Sequence, residues 1–160
     1  MRKIILALLL CCASTAARAD WQNTHWSMSV DEVHALYPDA QSLAPEQLKQ
    51  LTTPAHVPQL FVPYAEDGYG YKAYFYFAPG TQRLSMVQLY LEPGGDSAAL
   101  LKSLLDRYGK GETDIGPNNA MKVRVQNWKV DGDAVTYAFF PELAPSTGVK
   151  YVGPSQAAPK

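Results

Sequence analysis

Apolar and polar side chains alternate most densely in two adjoining stretches, Tyr69–Ala78 and Arg83–Leu91, with Pro79-Gly80-Thr81-Gln82 between them. Runs rich in aromatic and aliphatic residues, bounded by Pro and Gly, predict two strands joined as a hairpin. A three-residue loop over Gly80–Gln82 sets Phe75 opposite Val87 and Ala73 opposite Leu89 on one face. The same register sets Lys72 opposite Tyr90, Tyr74 opposite Gln88 and Tyr76 opposite Met86 on the other. A second hairpin is predicted from Lys122–Val130 and Ala134–Phe140 around Asp131-Gly132, a favoured two-residue turn. That turn opposes Trp128 and Val135; a three-residue turn opposes Val125 and Phe139, and the pattern leaves both open. Thr147–Val152 offers a last strand, and Leu60–Val62 an edge strand within the proline-bearing connector 52–63.

Helical spacing takes over elsewhere. Ser29 and Glu32 form a capping box, with Met28 and Val33 at the staple positions and Pro38 as the stop. Pro45–Leu51 suits a short helix with Pro in its first turn. Leu100, Leu101, Leu104, Leu105 and Tyr108 recur on one helical stripe that starts at Asp96 or Ser97 and ends at Gly109. The order is helix–hairpin–helix–hairpin. It predicts an α+β two-layer sandwich: one antiparallel sheet with helices on one face.

The first nineteen residues follow a different pattern. Arg2 and Lys3 precede the apolar run Ile4–Leu10, and Ala17-Arg18-Ala19 is a small-x-small cleavage site. That is the layout of a secretory signal peptide, too short to span a bilayer. The expected organisation is a signal at 1–19, one α+β domain at 20–152 and a disordered tail at 153–160. Export is the expected localisation, to the periplasm or as a secreted protein. Cleavage removes Arg2, Lys3 and Arg18 and no acid, which takes the net charge from −1 to −4. A mildly acidic domain is a poor match for a phosphate backbone, so no nucleic-acid partner is expected. Both cysteines, Cys11 and Cys12, lie in the signal. The mature chain therefore lacks a disulfide, a thiolate nucleophile and a Cys metal ligand.

Trp26–Leu36 (W-S-M-S-V-D-E-V-H-A-L) resembles the opening helix of small exported bacterial modules. These are the outer-membrane assembly lipoproteins of the BamE type and the β-lactamase inhibitor proteins. Leu104–Lys110 (L-L-D-R-Y-G-K) is similar to a second helix end in periplasmic proteins of this kind. The resemblance implies a binding or assembly module with a helical layer against an antiparallel sheet. Ser27 stands where those modules usually carry Gly, and a lipid-attachment Cys is missing.

Reaction chemistry finds no motif. There is no G-x-S-x-G or S-x-x-K, no H-E-x-x-H, no EF-hand and no phosphate loop. No catalytic residue, metal ligand or cofactor is therefore assigned. The strand face carrying Lys72, Tyr74, Tyr76, Met86, Gln88 and Tyr90 is the candidate binding surface. If helices cover only the opposite face, these tyrosines meet solvent, where rigid apolar rings with polar tips make binding hot spots. The expected function is an exported, non-enzymatic binding or assembly module acting on a protein or cell-envelope component through that face. Two rivals are an envelope hydrolase with a dispersed acid/base site, and a carrier of an apolar or aromatic small molecule between sheet and helices. His56 beside Glu66 or Asp67 in a deep cleft is the arrangement the hydrolase requires.

Overall fold

The computed structural model describes residues 21–113 and 122–154. The expected signal at 1–19, most of the polar loop 110–120 and the end of the expected tail lie outside the described residues. In chain order the elements are α1 (Val30–Leu36), β1 (Gln41–Ser42), α2 (Pro45–Leu51), β2 (Val57–Glu66), β3 (Tyr69–Ala78) and β4 (Arg83–Leu91). They continue with α3 (Ser97–Tyr108), β5 (Glu112–Thr113), β6 (Arg124–Val130), β7 (Asp133–Phe139) and β8 (Thr147–Val152). All eight strands form one antiparallel sheet in the order β1-β2-β3-β4-β8-β7-β6-β5.

This corrects the expected sandwich in two ways. Strands hold 42% of the described residues and helices 21%, and the helices are shared between both faces of the sheet. The helix–hairpin–helix–hairpin order also fails. β2 is a full ten-residue strand and β8 pairs with β4, so two meanders meet edge to edge. The prolines of the connector do not prevent β2. Pro58 sits beside a bulge at Gln59, and Pro63 lies beyond the stretch that pairs with β1, where an absent N–H costs no ladder bond on that edge.

The first face carries the main core. Phe75, Phe77, Val87, Leu89 and Val149 are buried on it. α1 caps one half, held by its Ser29–Glu32 box: the Ser29 N–H donates to Glu32 Oε2 at 2.7 Å, and the Glu32 N–H donates to Ser29 Oγ at 3.3 Å. α1 buries Val33, and Tyr37 at its end packs on Phe75 with ring centroids 5.1 Å apart. α3 covers the other half with Leu100 and Leu104 against Leu89 and Val149. Its ends are tied to the sheet. The Tyr137 hydroxyl donates to Ser97 O at 3.0 Å, and Trp128 Nε1 donates to Gly109 O at 2.8 Å.

Trp21 and Trp26 are core residues as well. Trp26 Nε1 donates to the buried Asp133 Oδ2 at 2.8 Å. Its ring lies so close to Gly153 that a Cβ there would come within 2.6 Å of it. Gly153 also donates its N–H to Ser85 O, so the chain is anchored at the point where a tail was expected to begin. The Trp21 indole N–H has no partner among the described residues, a cost of about 1–3 kcal/mol.

α2 lies on the second face. Its cap is weak: Ala44 offers no side-chain acceptor, and only Gln47 reaches back to the Ala44 N–H at 3.4 Å. Packing holds it instead, through Leu43 and Leu51 against Tyr74, Tyr76 and Met86. Among the described residues no helix is long and apolar enough to cross a membrane.

Candidate functional site

The six side chains selected from the strand pattern do share one face. Lys72 pairs with Tyr90, Tyr74 with Gln88 and Tyr76 with Met86, across the ladder from Phe75–Val87. The loop differs from expectation. Four residues, 79–82, join the strands, and Ser85 forms a bulge that restores the same register beyond it.

The face is not the open tyrosine platform the sequence suggested. Tyr74, Tyr76 and Met86 are buried beneath Leu43 and Leu51, because α2 returns over this side. Tyr74 is wedged between Phe61 and Tyr90, with ring centroids at 5.7 and 5.6 Å. The Lys72 ammonium sits 4.1 Å above the Phe61 ring in a cation–π contact. These two residues do not line the hollow that remains.

That hollow is a groove of about 400 Å³ between the end of α2 and the sheet. Tyr76, Met86, Gln88 and Tyr90 line it, so four of the six selected residues converge on it. Leu51 and Val152 add apolar wall, and Gln50, Thr53, His56 and Lys150 add polar groups. Gln50, Leu51, Thr53, Lys150 and Val152 carry no such signal in the sequence, and His56 stands there only as the base of the hydrolase alternative. Lys150 and Val152 arrive through the β4–β8 pairing, which no local pattern announces.

Two bulges arrange the polar groups. The bulge at Gln59 follows His56 and the start of β2; the bulge at Ser85 turns that hydroxyl toward the imidazole. His56 Nδ1 lies 2.9 Å from Ser85 Oγ, while Ser85 Oγ donates to the Tyr76 carbonyl at 3.3 Å. The direction of the His56–Ser85 bond follows the imidazole tautomer. Burial, then the Lys150 charge, pushes the His56 pKa below the usual imidazole value, which favours the neutral ring. Burial raises the pKa of both Tyr76 and Tyr90.

Two other hollows differ in kind. On the first face, a cavity of about 250 Å³ is lined by Trp21, Glu66, Arg107, Tyr108, Asp133 and Tyr151, among others. Its charged groups already satisfy one another. Glu66 accepts from Gln22 at 2.9 Å and pairs with Arg107 at 3.5 Å; Arg107 also pairs with Asp67, and Asp133 accepts from Trp26. A cleft of about 580 Å³ lies along β5 and β6, beside the point where the described residues stop at Thr113. In the second-face groove Lys150 has no ion pair among the described residues, and no carboxylate lines the groove.

The arrangement required by a hydrolase is not formed. His56 and Glu66 stand at opposite ends of β2, and Glu66 and Asp67 are engaged with Arg107. His25 and His34 are exposed. Asp131-Gly132 is a turn with both residues at positive φ, 51° and 97°, as a two-residue hairpin loop requires, and it sets Trp128 opposite Val135. Among the described residues no group of three or more His, Cys, Asp or Glu could hold a metal ion. Comparison with protein-family models, with curated proteins and with solved structures gives no match.

Proposed function

We propose that the protein is an exported binding module without reaction chemistry of its own, and that its ligand enters the second-face groove. The partner is a protein or cell-envelope component that presents a compact apolar or aromatic group. The supporting observation is the groove itself: about 400 Å³ with an apolar wall of Leu51, Met86 and Val152, two phenols and a polar rim. That volume falls within the range of small-ligand sites.

A fluorescent probe of apolar sites, N-phenylnaphthylamine, tests this reading. Gln50 is exposed on the last turn of α2 and lines the groove, so Gln50→Trp fills the hollow without touching the core. Saturable binding to the wild type, lost in Gln50→Trp with unchanged thermal unfolding, is the expected result. Equal binding by both proteins contradicts the groove as the site.

A further inference from the structure

We infer that the groove selects ligands carrying an anionic group, with Lys150 as the residue that reads it. The inference rests on the groove being the ligand site. Lys150 is half-buried on β8, paired in register with Gln88 on β4, and it carries the only formal charge among the residues that line the groove. Lys150 has no ion pair among the described residues, so an entering anion supplies the counter-charge it lacks. A cationic ligand meets repulsion and no carboxylate to offset it.

A second donor stands nearby. Tyr90 lines the same groove and brings a phenol O–H that can donate. Ammonium and phenol together supply charge-assisted bonds to an oxyanion, while Met86, Val152 and Leu51 hold the apolar body. Two other polar groups of the groove are already committed. Gln88 Nε2 donates to Leu89 O and Val149 O, and Thr53 Oγ1 donates to His56 O. The ligand class is therefore an amphiphile with one compact aromatic or aliphatic body and one carboxylate, sulfonate or similar anionic head.

The experiment compares anilinonaphthalene sulfonate with the uncharged N-phenylnaphthylamine, two dyes that share a hydrocarbon body. Wild-type protein is expected to bind the sulfonate about tenfold more tightly than the neutral dye, the scale of one charge-assisted contact. Lys150→Met removes that preference and leaves neutral-dye affinity unchanged; Lys150→Arg keeps it. Gln50→Trp weakens both dyes. A sulfonate preference that survives Lys150→Met overturns the inference, as does a wild type without preference; the groove reading stands in either case if Gln50→Trp still expels the neutral dye. Dyes that both bind Gln50→Trp as they bind the wild type overturn the groove reading and the inference with it.

Discussion

The two faces of the sheet are built from the same strands and much the same residues, yet they end differently. On the first face Phe75, Phe77 and Val87 are fully buried, α1 and α3 both pack on it, and the charged groups near the rim pair with each other. On the second, a seven-residue helix covers only Tyr74, Tyr76 and Met86, and Lys150 faces a hollow without a counter-charge. Closure here depends on the length and number of covering helices. Where cover is short, the same alternation that builds a core leaves a groove with aromatic walls.

The contrast predicts that large effects on stability belong to the first face and effects on binding to the second. Phe75→Ala should cost about 3–5 kcal/mol in urea unfolding, because the buried ring leaves a cavity against Trp21 and Tyr37. A cost near that of a surface substitution would break the comparison. Trp26→Phe removes a donor from buried Asp133 and should cost about 1–3 kcal/mol, read by the same unfolding curve. Ser27→Gly acts in the opposite direction. Ser27 holds φ at 79°, which glycine adopts without strain, so the substitution should stabilise the protein by about 0.5–1 kcal/mol in thermal unfolding.

The smallest effect is a pH dependence from the groove. His56 faces Lys150, Ser85 and the Tyr76–Tyr90 pair, and its pKa is lowered in the folded protein. A histidine with a lowered folded pKa binds more protons when unfolded. Stability is thus full above the ordinary histidine range and falls as pH drops below about 6.5 toward the folded value. His56→Asn keeps a non-titrating hydrogen-bonding group beside Ser85 and should flatten this part of the stability–pH curve between about pH 7 and 5. An unchanged slope in the variant would place the titration elsewhere. Protonated His56 also adds a second positive charge, so sulfonate affinity in the wild type should rise over the same acid interval.

Much of the architecture was written in local signals. Tyr69–Ala78, Arg83–Leu91, Pro45–Leu51, Ser97–Tyr108 and Thr147–Val152 occupy the bounds that alternation, helical spacing and caps indicate. The Phe75–Val87 register followed from alternation between two strong turns, although the loop reached it through a bulge at Ser85. What stayed hidden depends on distant contacts. Pro58 and Pro63 argued against a strand, and they are tolerated because one adjoins a bulge and the other meets an unpaired edge. α2 has no strongly apolar stripe, so nothing local says which side of the sheet it will cover. That single choice turned an open platform into a roofed groove. Tyr76, Met86, Gln88 and Tyr90 were therefore visible as a set, while Lys150 and Val152 joined them only through the pairing of β8 with β4.

The most direct measurement is a residue-resolved NMR titration of the protein with anilinonaphthalene sulfonate. The account predicts shift changes centred on Gln50, His56, Gln88, Tyr90 and Lys150, with Trp21, Arg107 and Tyr108 unmoved. Changes centred on Trp21, Arg107 and Tyr108 would contradict it, and would move the binding site to the cavity on the first face.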